Sequence, residues 1–183
     1  MKNIFKTLFQ SIEFIIYVIL NKTLKLLSFN TTSNLGSFLV STLGPFTKYS
    51  NIIAKNLENL ESEKSLISSL SKQNLSQTGR VFFEFFNLNK FNWESIYVEN
   101  EKYLQEIKGY KGSKIFISAH IGNWEITRNY LLNLGFKLHS VYRHANNQKI
   151  DQYIQKNRNR TNAYFYKKGS ESAKNMIKAL KNN

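Results

Sequence analysis

Residues 115–126 read IFISAHIGNWEI, and the interpretation of this stretch decides the fold. Ile115 to Ala119 is a short unbroken apolar run, the composition of a strand buried on both faces of a parallel sheet. Gly122 permits a tight turn and Asn123 suits an N-cap. Trp124 to Leu134 then carries Thr127, Tyr130, Leu131 and Leu134 on one side of a helix that Gly135 ends. The alternation continues downstream. Phe136 to Tyr142 alternates as a strand, Asn147 to Asn159 is a polar helix, Ala163 to Tyr166 a strand, and Glu171 to Leu180 a last helix. Strand and helix pairs in series predict right-handed crossovers on a parallel sheet.

Upstream, Tyr97 to Glu99 is a further candidate strand, Glu101 to Lys108 a helical turn and Gly109 to Gly112 a turn. Before about Glu94 the character is helical. Asn34 to Lys55 holds Gly36, Gly44 and the only proline, Pro45, as a broken helical region. Ile52 to Leu60 and Ser65 to Phe86 carry apolar residues at helical spacing, with Ser62 and Ser65 as candidate N-caps for the second. Phe82, Phe83, Phe85 and Phe86 read as core or membrane-contact residues.

The start of the chain is distinct again. Phe14 to Leu20 (FIIYVIL) is continuously apolar, flanked by Glu13 and by Lys22 and Lys25. A bilayer span wants about twenty apolar residues, a length the run from Ile4 reaches only by including Lys6 and Glu13. A single marginal anchor, or a helix lying in the interface with lysines at its edge, accounts for the segment better than a secretory signal does, and a buried helix of a soluble domain is the alternative. The fold class expected is therefore α/β: N-terminal membrane-associated helices, then a βαβαβα, mostly parallel sheet. The domain boundaries expected are 1–30 for a hydrophobic anchoring helix, 31–93 for a helical region and 94–183 for a partial α/β domain. The chain stops where another strand is due, so the sheet reads as truncated at its C-terminus.

Composition narrows the chemistry. The 183 residues contain no cysteine, which excludes disulfides, thiolate metal sites and a cysteine nucleophile. An excess of 26 Lys+Arg over 12 Asp+Glu gives a net charge of +14 and favours anionic partners. The lysines are scattered and no nucleic-acid-binding module is present, so nucleic acid is not the expected partner. His139 and His144 match no metal-site pattern and read as surface residues on a strand and its following loop.

In an open α/β sheet, ligands collect beyond the carboxyl ends of the strands. His120 stands there, directly after the apolar run, and Glu125 falls in the first turn of the next helix, where the dipole favours a carboxylate. A carboxylate that keeps one ring nitrogen protonated leaves the other available as a base. Such a pair suits transfer of an acyl group to an alcohol. No covalent intermediate on the protein is needed, and the sequence has neither a cysteine nor a G-x-S-x-G elbow.

The block His120, Gly122, Asn123, Trp124, Glu125 resembles the HxGNWE-like signature of the bacterial lipid A biosynthesis (lauroyl/myristoyl-type) acyltransferase family. The likeness extends to Val141-Tyr142-Arg143 as the family's "VYR" block, to Asn146 or Asn147, Asp151 and Arg158 at similar spacing, to Lys168-Gly169, and to Asn56-Leu57 upstream. It implies that His120 is the general base toward an acceptor hydroxyl with Glu125 as its partner, and that no cofactor or metal is required. Arg143 and Arg158 would bind acceptor phosphate or polarise the thioester carbonyl. Asn123 and Trp124 would shape the site. The implied partners are acyl carrier protein as donor (acyl-CoA being the alternative thioester), an anionic glycolipid acceptor of the lipid A precursor type, and the membrane. The implied location is the cytoplasmic face of the inner membrane. His144 stands where many relatives carry proline, which bears on the local turn. The family also continues beyond this point with a strand bearing an Asp-Gln pair, so the resemblance implies an N-terminal fragment. The competing expectation is a non-catalytic membrane-associated binding protein that keeps the anchor and the basic surface.

Overall fold

The computed structural model describes residues 2–60 and 63–182. They form helices α1 (Lys2–Leu24), α2 (Phe29–Leu43), α3 (Lys48–Leu57), α4 (Lys64–Glu84), α5 (Glu101–Gly109), α6 (Trp124–Asn133), α7 (Gln148–Arg158) and α8 (Ser170–Lys181). Strands β1 (Leu138–Tyr142) and β2 (Ala163–Lys167) complete the regular elements. The chain divides into two compact units. One combines α1 up to Val18 with residues 92–120 and 124 onward, and the other takes Ile19–Phe91 with Ile121–Asn123.

The second unit is helical. Gly36 does not break α2. A Cβ there would lie 2.3 Å from the carbonyl oxygen of Gly79, and one on Gly79 would lie 2.1 Å from that of Gly36. The two glycines are where α2 and α4 cross backbone to backbone. The break falls at Gly44-Pro45, in a short 3-10 turn between α2 and α3. Around the crossing the contacts are polar. Ser37 and Ser76 share a 2.7 Å hydrogen bond, Ser33 donates to Glu84 at 2.7 Å, and Arg80 donates to Asn34 at 2.7 Å. Fully buried Asn87 donates through Nδ2 to the Leu24 carbonyl at 2.7 Å and to Thr32 Oγ1 at 2.6 Å, tying the end of α1 to α2. The Lys90 ammonium donates to the carbonyls of Lys25 and Leu27, a cation at a helix C-terminus. Ser62 lies outside the described residues. Ser65 is already inside α4, whose N-cap position is held by Glu63.

In the first unit the expected α/β sheet is realised only in part. β1 and β2 pair in parallel, Leu138 opposite Ala163 through Tyr142 opposite Lys167, with α7 as the crossover. Helix α8 packs on both strands and α6 on β1. Gly135, at φ +90°, ends α6 in the left-handed conformation. Neither 97–99 nor 115–119 is a strand. An apolar run expresses a demand for burial, but a strand exists only where a ladder satisfies its backbone groups. Residues 115–119 pair with no strand among the described residues, and Ile117 is 93% exposed. The described architecture is thus mainly helical with a two-stranded parallel sheet, in place of the full βαβαβα order.

Candidate functional site

Leu132 is the only buried hydrophobic residue among the described residues of the first unit, whereas Glu125, Arg128, Asn129, Asn147, Asp151 and Ser172 are all buried. Buried polar side chains are held by hydrogen bonds and ion pairs, and their concentration here makes this region the candidate site.

Glu125 is the centre of it. The residue sits in the first turn of α6 and is 2% exposed. Three positions on, Arg128 shares its face and donates through Nε to Glu125 Oε2 at 3.1 Å. Arg158, at the end of α7, donates through Nη2 to Glu125 Oε1. Both guanidiniums lie over aromatic rings. That of Arg158 is 5.3 Å from the Trp124 ring and 5.7 Å from Phe165 on β2, and that of Arg128 is 4.8 Å from Phe165. Burial pushes the Arg128 pKa below its usual value, an effect that the charge and hydrogen bond of Glu125 oppose. Its Nη1 is buried without a hydrogen-bond partner among the described residues. Arg160 extends the cluster, donating to Asn129 Oδ1 at 2.6 Å and Asn133 Oδ1 at 2.7 Å, while Asn129 donates to the Glu125 carbonyl at 2.7 Å.

Asp151 organises the turn after β1. Its Oδ1 accepts from the Ala145 amide at 3.1 Å, which fixes the loop carrying Arg143 and His144, both exposed. Lys167 approaches its Oδ2 at 3.8 Å. Desolvation and the Asp151 charge together raise the Tyr142 pKa. His139, on β1, stacks on Tyr164 with centroids 4.5 Å apart and shares a 2.8 Å Nδ1···Oη hydrogen bond with Tyr166; burial lowers its pKa.

Of the six site residues the sequence singles out, Trp124, Glu125 and Arg158 converge. Arg143 is exposed on the β1 loop. Asn123 belongs to the second unit, where its Nδ2 donates to Glu84 Oε2 at 2.7 Å. His120 is exposed, and no hydrogen bond or ion pair joins it to Glu125, whose two oxygens face guanidiniums. Sequence reasoning missed Arg128, Asn129, Arg160 and Glu84. The i,i+3 relation of Arg128 to Glu125 is the signal that was there to be used. Glu84 is masked by the four phenylalanines around it.

An open cavity of about 400 Å³ lies elsewhere in the first unit, lined by Glu106, Ile107, Tyr110, Lys114, Ile115 and Phe116, none of them among those six residues. Among the described residues no three His, Asp or Glu side chains gather as a metal site needs.

A family model for bacterial lipid A biosynthesis acyltransferases matches residues 2–183. No curated protein and no solved structure matches the chain.

Proposed function

The chain belongs to the bacterial lipid A biosynthesis acyltransferase family, and we propose that it moves a fatty acyl chain from acyl carrier protein to a hydroxyl of a lipid A precursor at the cytoplasmic face of the inner membrane. The observation that carries the reading is that Arg158 meets both the buried Glu125 carboxylate and the Trp124 ring, which joins the signature block to one of its spaced partners.

In this reading His120 takes the proton of the acceptor hydroxyl as its oxygen attacks the thioester carbonyl, and the carrier thiol leaves as the tetrahedral intermediate collapses. A hydroxyl is too weak a nucleophile at neutral pH without that base. Glu125 is the partner of the imidazole. Arg128 and Arg158 hold its carboxylate in one place, and catalytic hydrogen bonds that are long or poorly aligned in an unliganded enzyme tighten in the substrate complex. Arg143, exposed at the end of β1, meets acceptor phosphate as a charged guanidinium fork. Asn123 and Trp124, adjacent before Glu125, shape the site. The net charge of +14 suits both an acidic carrier protein and a phosphorylated glycolipid.

The test is acyl transfer by the wild-type chain and by His120→Ala, with acyl carrier protein thioester and a phosphorylated glucosamine-disaccharide lipid as substrates and mass spectrometry of the product. His120 is exposed, so the substitution should move stability by less than about 0.5 kcal/mol while transfer falls by about 10²–10⁴-fold. Undiminished turnover in His120→Ala rejects the assigned base. Absence of transfer by wild type, with glycolipid still bound, favours the non-catalytic binding protein.

A further inference from the structure

Helix α1 has a divided surface. At 3.6 residues per turn, Ile4, Phe5, Phe9, Ile12, Ile16 and Ile19 fall within an arc of about 140°, and they are between 47% and 72% exposed. The opposite side meets the protein, and it is mixed, with Gln10, Ser11, Glu13 and Asn21 beside Phe14 and Tyr17. Asn147 donates to the Gln10 carbonyl at 2.6 Å and to Glu13 Oε2 at 3.0 Å, and Lys149 donates to Ser11 Oγ at 3.0 Å. The Tyr153 ring lies edge-on to Phe14 and Tyr17, with centroids 6.1 and 5.8 Å away. A helix of a water-soluble domain turns its apolar stripe inward. This one turns it outward.

Residues 4–24 are long and apolar enough to cross a bilayer, but their packing argues for another placement. The contacts with Asn147, Lys149 and Tyr153 fall at positions 10–17, around the midpoint of that stretch. Were α1 to span, its middle would lie at the bilayer centre and would draw the adjoining helix α7 there too, with Lys149, Asp151, Lys156 and Arg158. Charged side chains at that depth are costly. A helix lying in the plane of the interface meets both demands at once, with its apolar arc in the acyl boundary and α7 on the water side. The charge pattern names the surface. Lys22 lies in the last turn of α1 and Lys25 directly after it, and no carboxylate follows Glu13 in the helix, as suits anionic headgroups.

We infer that α1 is an in-plane, monotopic helix whose apolar face is covered by an anionic bilayer surface. The inference rests on the reading that this chain works at a membrane, and specifies how it is held there. The chain has no cysteine, so single substitutions Phe5→Cys, Ile12→Cys and Ile19→Cys, seven residues apart along one line of the apolar face, report depth without background. Each full-length variant is spin-labelled, added to phosphatidylcholine/phosphatidylglycerol vesicles, and its depth measured by relaxation contrast. The expected result is one shared shallow depth, about 5–10 Å below the headgroups. Position 12 at the bilayer centre, with 5 and 19 near opposite faces, overturns the in-plane helix and leaves membrane attachment standing. Absence of vesicle binding, with Ile12→Cys crosslinking to a second copy of itself, overturns both.

Discussion

Asn123 donates through Nδ2 to Glu84 Oε2 at 2.7 Å, which fastens the turn of the signature block to the last residue of α4. Glu84 Oε1 at the same time accepts from Ser33 at 2.7 Å, so one carboxylate links α2, α4 and the turn at 121–123. Hydrogen bonds to a charged acceptor are stronger than neutral ones and cost more when lost.

Glu84→Ala is therefore expected to destabilise the chain by about 1.5–3 kcal/mol and to depress acyl transfer beyond what the lost stability explains. Urea denaturation alongside the transfer assay separates the two. An unchanged transfer rate in a folded Glu84→Ala chain would show that the anchor at Asn123 is irrelevant to the site.

Glu125 neutralises the buried guanidinium of Arg128 and the half-buried one of Arg158. Its removal in Glu125→Ala leaves both uncompensated, a change worth about 3–5 kcal/mol where a buried pair loses one partner. Adding Arg128→Met and Arg158→Met to that variant should recover most of the loss, because the aromatic rings of Trp124 and Phe165 then face apolar side chains of similar length. Chemical denaturation of the single and triple variants measures it; equal stabilities would mean the cluster is not an ion pair in solution.

Gly79→Ala places a methyl group 2.1 Å from the Gly36 carbonyl oxygen, which backbone must shift to admit. Overpacking of this kind costs about 1–3 kcal/mol. Gly109→Ala, where nothing lies within 4 Å, is the control and should move stability by less than about 1 kcal/mol. Thermal melts of both decide whether α2 and α4 cross where the glycines say.

His139 has a pKa lowered from 6.5 chiefly by burial, with the Lys137 charge adding to it. Below 6.5 the unfolded chain therefore binds a proton that the folded chain resists, so stability falls as pH drops from about 6.5 toward the folded-state value. His139→Phe keeps the ring against Tyr164 and removes the titration. The melting temperature of wild type relative to His139→Phe should decline between pH 7 and 5 and stay level above pH 7.5. A constant difference across that range would remove the histidine as its cause.

Much of this protein is legible in local chemistry. Helical spacing, Gly135 after α6 and the presence of a strand at β1 depend on neighbours within a few positions, and the structure bears them out. The signature block was visible for the same reason, since its residues are adjacent. Local pattern misled at Ile115–Ala119, where an apolar run demands burial without supplying a ladder partner, and at Gly36, where a helix breaker turned out to be a crossing point.

What only the tertiary structure decided is who meets whom. Residue spacing puts Glu125 near His120 along the chain, but space gives its two oxygens to Arg128 and Arg158, one of them 33 positions away. Composition says that α1 is apolar; only packing tells that its broad apolar arc is turned away from the protein. The physical reason is the same in both cases. Covalent order and periodicity set which faces a segment can present, while the partner for a charge or an apolar arc is chosen by long-range burial, to which no window of neighbouring residues has access.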